Sequence, residues 1–278
     1  YELAFFIFVE MKFLKTLNHY SIDIAGGAMV SSWYFSNIMN VSVSWLTYVS
    51  LGLAVWIIYT FDHIVDARAL NNNNSSNRHI IHKRYQKWLS KALILALLLQ
   101  SIIIFFIPQQ TIVLGISVAS CVAAYFVAIS VLKLKFGLYK EITIAIIYTL
   151  GVLVAPISLE PVLDLSHYLM VIGFALVAFL NLIIFSWYER VIDKRNKFAS
   201  IVNTIGENQT WLLMQFVFYS FIVLCSILFL MALFPGLLLL SMTLILGMTI
   251  FFRSYFQRDI LYRILGDGVF LLPVFFIL

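Results

Sequence analysis

The chain has 278 residues, 63% of them hydrophobic and only 11% charged, with a mean hydropathy of +0.99 and a net charge of +5. Soluble domains carry charge on about a quarter of their residues, so this composition excludes one and leaves a polytopic membrane protein. Its two cysteines, Cys121 and Cys225, lie inside apolar runs and offer no disulfide or zinc framework.

From the N-terminus, residues 1–10 read as an extension ahead of Met11. Their apolar stretch is too short for a signal-peptide core and is flanked by Glu2 and Glu10. Residues 1–20 are expected to be a cytoplasmic segment, and 21–278 a single polytopic domain. Nine apolar runs long enough to cross a bilayer follow, near 21–40, 43–61, 92–108, 111–132, 141–158, 167–187, 211–233, 236–252 and 260–278. The predicted fold is therefore an all-α membrane bundle of nine helices. Between the second and third runs, the Asn/Ser tract 71–77 reads as a linker, and 78–85 as a short interfacial helix.

Lys and Arg collect in cytoplasmic loops. With the N-terminus inside, all 18 Lys and Arg fall on the inner side, and the outer loops hold only Glu160 and Asp164. This predicts a cytoplasmic N-terminus and an external C-terminus. Topology alone accounts for the pI near 9.1, so no nucleic-acid partner is called for.

Two acidic pairs stand out in this charge-poor chain: Asp62 with Asp66, and Glu189 with Asp193. Each has i, i+4 spacing, which on a helix places both carboxylates on one face, roughly 5–6 Å apart at Cβ. Both pairs follow spans that end inside, so both are expected at the same depth on the cytoplasmic side. Cations accompany each pair: Arg68, Arg78, Lys83 and Arg84 the first, Arg190, Lys194, Arg195 and Lys197 the second. Carboxylates beside cations point to a site for a divalent metal and phosphate.

On these residues the chain resembles the UbiA superfamily of intramembrane prenyltransferases, as a divergent member. That family has nine helices and two acidic cytoplasmic motifs, after helices 2 and 6. Asp62 and Asp66 match the aspartates of its first motif, and Ile58 stands where the family has Asn. Asn77-Arg78-His79 echoes the family's Asn-Arg-Pro. Glu189 and Asp193 fill the acidic positions of the second motif and Ser200 its hydroxyl position, whereas Lys197 replaces a glycine. Lys133, just after the fourth span, sits where the family usually has a diphosphate-binding lysine.

The resemblance implies transfer of an isoprenoid chain from a prenyl diphosphate to a lipid-soluble, possibly aromatic acceptor within the bilayer. Asp62, Asp66, Glu189 and Asp193 would be the catalytic, Mg²⁺-binding residues. Arg78, Lys133, Lys194 and Arg195 would neutralise the diphosphate, and the site would face the cytoplasm of a bacterial plasma membrane. An aromatic tunnel would shield the carbocation, with candidates Trp33, Tyr34, Tyr125, Tyr148 and Phe185. Asn181, eight residues before Glu189, could point into the cavity, and Tyr148 could reach substrate.

The remaining polar positions divide between structure and site. Asp23 and Asp267 are either buried groups satisfied by a neighbouring helix or cavity lining. His63 reads as a solvated interface residue, and His19 and His167 as incidental. His79 and His82 lack a third ligand in register. Gly26, Gly27 and Gly151 read as close helix packing. A competing reading, a transporter or a catalytically inactive relative, draws on Ile58 and Lys197.

Overall fold

The computed structural model describes residues 2–69, 84–130, 137, 139–159, 162–196, 198–230, 235–258 and 260–276; of 2–10, 66–69, 130 and 235 it describes the backbone only. Every regular element among them is helical. A chain immersed in hydrocarbon must pair its backbone N–H and C=O groups within each segment, and only helices do so locally. Six helices are long and apolar enough to cross a membrane, over 45–65, 86–106, 109–129, 139–159, 165–196 and 207–230, and a shorter apolar helix covers 236–251.

The elements are α1 (Glu2–His19), α2 (Ile22–Ile38), α3 (Trp45–Ala69), α4 (Gln86–Ile103), α5 (Gln109–Ser130), α6 (Tyr139–Leu159), α7 (Leu165–Asn196), α8 (Ile201–Ile205), α9 (Glu207–Leu230), α10 (Pro235–Phe251), α11 (Arg253–Phe256) and α12 (Leu261–Gly268). A 3-10 turn, Ile104–Phe106, ends α4, and a 3-10 helix, Val269–Phe276, continues α12. The segment 2–19, expected only as a cytoplasmic stretch, is thus a helix. Arg78 and the rest of the 78–83 stretch, Lys133 and Lys197 lie outside the described residues.

At about 1.5 Å per residue, α3 is ~37 Å long and α7 ~48 Å, more than the ~30 Å hydrocarbon core requires. Both helices run on through their acidic pairs instead of stopping before them. The pairs therefore ride on helical overhangs, and the i, i+4 geometry assumed for them holds along the backbone.

α7 is the axis of the bundle, with more than half of its most apolar stretch buried, against α6, α9, α10 and α12. Phe174, Val177, Leu180, Ile183 and Ile184 on α7 join Phe35 of α2, Val152 and Leu153 of α6, Phe221 of α9 and Met242 of α10 in one core. By contrast, α5 has none of its most apolar stretch buried. Its Val113 and Val127 are exposed, as lipid-facing side chains are.

The C-terminal segment closes against α2 and α7 through two glycines. A Cβ at Gly27 would lie 2.8 Å from Phe270 Cβ, and one at Gly266 would run into Asn181 Oδ1 and lie 2.6 Å from the Phe185 ring. Ser31 Oγ then donates to Phe270 O at 3.1 Å, fastening α2 to the 3-10 helix.

Candidate functional site

An elongated cavity of about 560 Å³ runs between α3, α5 and α6. Asp62, Tyr59, Lys140, Phe198 and Ala199 line one end, and Thr47, Ser50, Gln100 and Thr111 line the other. Asp62 and Thr47 lie on the same helix, about 22 Å apart along its axis at ~1.5 Å per residue. Between the two ends the wall is nearly all apolar, with Ile58, Val122, Phe126, Ile147 and Val154 among its side chains.

Asp62 is half-buried and presents its carboxylate end of α3 to this space. Asp66 follows one turn later on α3, and its side chain lies outside the described residues. Lys140, in the first turn of α6, lines the cavity beside Asp62. It is also within electrostatic reach of Asp193 on α7, together with Glu189, Arg263 and Glu141. Lys140 is thus a cation that both lines the cavity and acts electrostatically on the second acidic motif. In the sequence nothing but its charge sets it apart.

Glu189 is differently placed. Its Oε1 accepts from Tyr262 Oη at 2.8 Å and from the Arg263 guanidinium, and the side chain is about one-fifth exposed. Tyr262 in turn stacks on Tyr188 with ring centroids 4.5 Å apart, and Arg263 lies 5.1 Å from the Phe185 ring centroid. Arg190 pairs with Glu207 at 2.9 Å and packs 4.2 Å over Trp187. Glu189 and Arg190 thus stitch α7 to α9 and α12, and neither lines the cavity. Tyr262 and Arg263, which hold Glu189, sit 73 and 74 positions further along the chain. No local spacing signals them.

The remaining expected site residues divide. Tyr148 lines the cavity, packed edge-on to Phe270 at 5.2 Å, and its buried hydroxyl has no hydrogen-bond partner among the described residues. Tyr125 lines it too; Trp33, Tyr34 and Phe185 do not. Asn181 is buried with its Oδ1 against Gly266, outside the cavity wall. Lys194 and Arg195 are exposed on the α7 overhang. Ser200 is buried and works as the N-cap of α8, its Oγ accepting from Asn203 N at 3.4 Å.

Glu141, which no motif or spacing in the sequence marks, is 4% exposed and follows Lys140 in the chain. Its Oε1 accepts from Ile201 N at 2.9 Å, pinning the 198–201 turn, whose Phe198 and Ala199 line the cavity mouth. Asp23 and Asp267 are joined by Asn18 Nδ2, which donates to them at 2.7 and 2.8 Å. This is the satisfied-neighbour alternative of the two expected for them. His63 is buried, not solvated, because α3 continues past it. His167 is a helix-cap partner: its N–H donates to Asp164 Oδ1 at 3.0 Å, and with the Ser166 hydroxyl, the larger influence, it holds the Asp164 carboxyl below the usual range. Gly151 does not serve close packing, since a Cβ there would meet nothing within 4 Å and the residue faces the cavity.

No protein-family model, curated protein or solved structure matches this chain. Function must therefore be argued from the site.

Mg²⁺ takes one or two carboxylates and leaves its other positions to water and substrate phosphates. Among the described residues, no three His, Cys, Asp or Glu side chains come close enough together to hold an ion unaided. Asp62, facing the cavity, fits the smaller requirement. Glu189, held by Arg263 and Tyr262, does not fit it in this conformation.

Proposed function

We propose that the chain is a divergent UbiA-like prenyltransferase, using Mg²⁺ to move an isoprenoid chain from its diphosphate to a lipid-soluble acceptor. One observation carries the reading: a long apolar cavity has a carboxylate, Asp62, and an ammonium, Lys140, at the same end. A prenyl diphosphate has that polarity, an anionic head on a hydrocarbon tail. Asp62, Asp66 and Asp193 would hold the ion, which when bound supplies positive charge against the departing diphosphate.

The chain's own residues do the rest. Lys140 binds the anionic head, with Arg78, Lys133, Lys194 and Arg195 as further candidates. The apolar wall excludes water from an allylic cation, and the faces of Tyr125 and Tyr148 stabilise its charge. Tyr148 packs against Phe174 and Phe270, so its ring is held in place.

Nine spans, with the N-terminus inside and the C-terminus outside, complete the proposal. α12 and the 3-10 helix together extend about 28 Å, because a 3-10 helix rises ~2.0 Å per residue. That supports a ninth crossing by a segment too short to cross as α-helix alone.

The engagement of Glu189 by Arg263 favours a second reading, a UbiA-like membrane protein without transferase activity, or a transporter. The test is binding and turnover of a panel of prenyl diphosphates by purified protein with and without Mg²⁺. The proposal expects Mg²⁺-dependent binding, lost in Asp62→Ala and in Gly151→Phe. The latter side chain projects into the cavity from a position where nothing protein-borne stands in its way. Turnover should fall at least ~100-fold in both variants. Binding indifferent to Mg²⁺ and to Asp62→Ala would sink the proposal.

A further inference from the structure

We propose that the cavity end remote from Asp62 is a hydrogen-bonding subsite for a hydroxyl at the tip of a lipid-like chain. A cavity built for hydrocarbon alone needs no polar group at its end, and a buried polar atom costs free energy unless it is hydrogen-bonded. Yet Thr47 and Ser50 of α3, Gln100 of α4 and Thr111 of α5 converge on that end. Thr47, Ser50 and Thr111 are each less than a tenth exposed.

Gln100 Nε2 donates to Ser50 Oγ at 2.7 Å, and Thr111 Oγ1 pairs with Ser158 Oγ at 2.7 Å. Gln100 Oε1 is buried and accepts no hydrogen bond among the described residues. It is an acceptor in want of a donor, which a hydroxyl supplies and a methyl does not. Helix joining accounts for the Gln100–Ser50 and Thr111–Ser158 bonds, and Thr47 Oγ1 pairs with Ser44 Oγ at 3.1 Å. None of these accounts for the buried Gln100 Oε1 at the cavity end. The occupant is therefore an amphiphile with polar groups at both ends and hydrocarbon between. Only the identity of its inner head rests on the prenyl-diphosphate reading.

The experiment uses full-length protein in lipid nanodiscs. Equilibrium binding is measured for the monophosphate of a long-chain α,ω-diol and for the phosphate of the mono-alcohol of the same chain length, the phosphate fixing which end meets Lys140. The diol monophosphate is expected to bind about tenfold more tightly, the effect of satisfying one buried acceptor. The preference should fall below about twofold in Gln100→Met or Ser50→Ala. Equal affinities in the unaltered protein overturn the subsite, as does a preference that survives both substitutions. Mg²⁺-dependent binding of geranylgeranyl diphosphate is followed in the same samples. Its absence alongside an intact diol preference removes the prenyl-donor reading and leaves the subsite; its presence with no diol preference does the reverse.

Discussion

Glu189 shows how far a residue's partners can change its meaning. On spacing alone it equals Asp193 as a metal ligand, but Arg263 and Tyr262 neutralise and orient it. Removing one member of a largely buried ion pair strands the other charge, so Glu189→Gln should destabilise the protein by about 3 kcal/mol. Replacing both partners with similarly sized apolar residues leaves no stranded charge. Glu189→Met combined with Arg263→Met should therefore recover most of the loss, as read by thermal unfolding in detergent. If the double substitution is no better than the single, Glu189 serves the bundle less than the site.

Among the elements, α6 and α8 form a small device at the cavity mouth. Glu141 reaches from the first turn of α6 to the N–H of Ile201, while Ser200 caps α8 with its own hydroxyl. The turn they hold contributes Phe198 and Ala199 to the cavity wall. Glu141→Leu leaves a buried N–H without an acceptor and should cost about 1–2 kcal/mol, concentrated locally. Hydrogen exchange over 198–205 should speed up in that variant and stay near the parent rate in Glu141→Gln, which keeps an acceptor oxygen. Uniform acceleration across the whole bundle would show that Glu141 supports the core instead of the turn. The helical overhangs of α3 and α7 were legible in outline, since the acidic pairs sit at the ends of apolar runs. Their lengths were not, because hydropathy marks where lipid ends, while backbone hydrogen bonding carries a helix further.

For the whole molecule, the charge distribution predicts an orientation. Every Lys and Arg is assigned to one side, and the prediction is tested with single cysteines placed in a Cys121→Ser, Cys225→Ala background. A membrane-impermeant maleimide applied to intact cells should label Asp164→Cys and spare Arg195→Cys. The opposite pattern would invert the topology and place Asp62 and Lys140 on the outer face. Six spans stand on length and apolarity in the structure, and α2, α10 and the segment of α12 with its 3-10 helix are what a nine-span count adds.

The sequence by itself determined the class of molecule, the positions of the apolar helices and the pairing of the acidic motifs on helix faces. Those properties are local: composition sets the solvent a segment prefers, and 3.6-residue periodicity sets which side chains share a face. Only the tertiary structure decided that Glu189 is claimed by Arg263, that Glu141 pins a turn 60 residues away, and that Gly151 borders a cavity instead of a neighbouring helix. Each of those outcomes depends on which helices become neighbours. In a bundle whose surfaces are almost uniformly apolar, periodicity says little about that choice. Shape does, through close approaches such as Gly266 against Asn181 and Gly27 against Phe270.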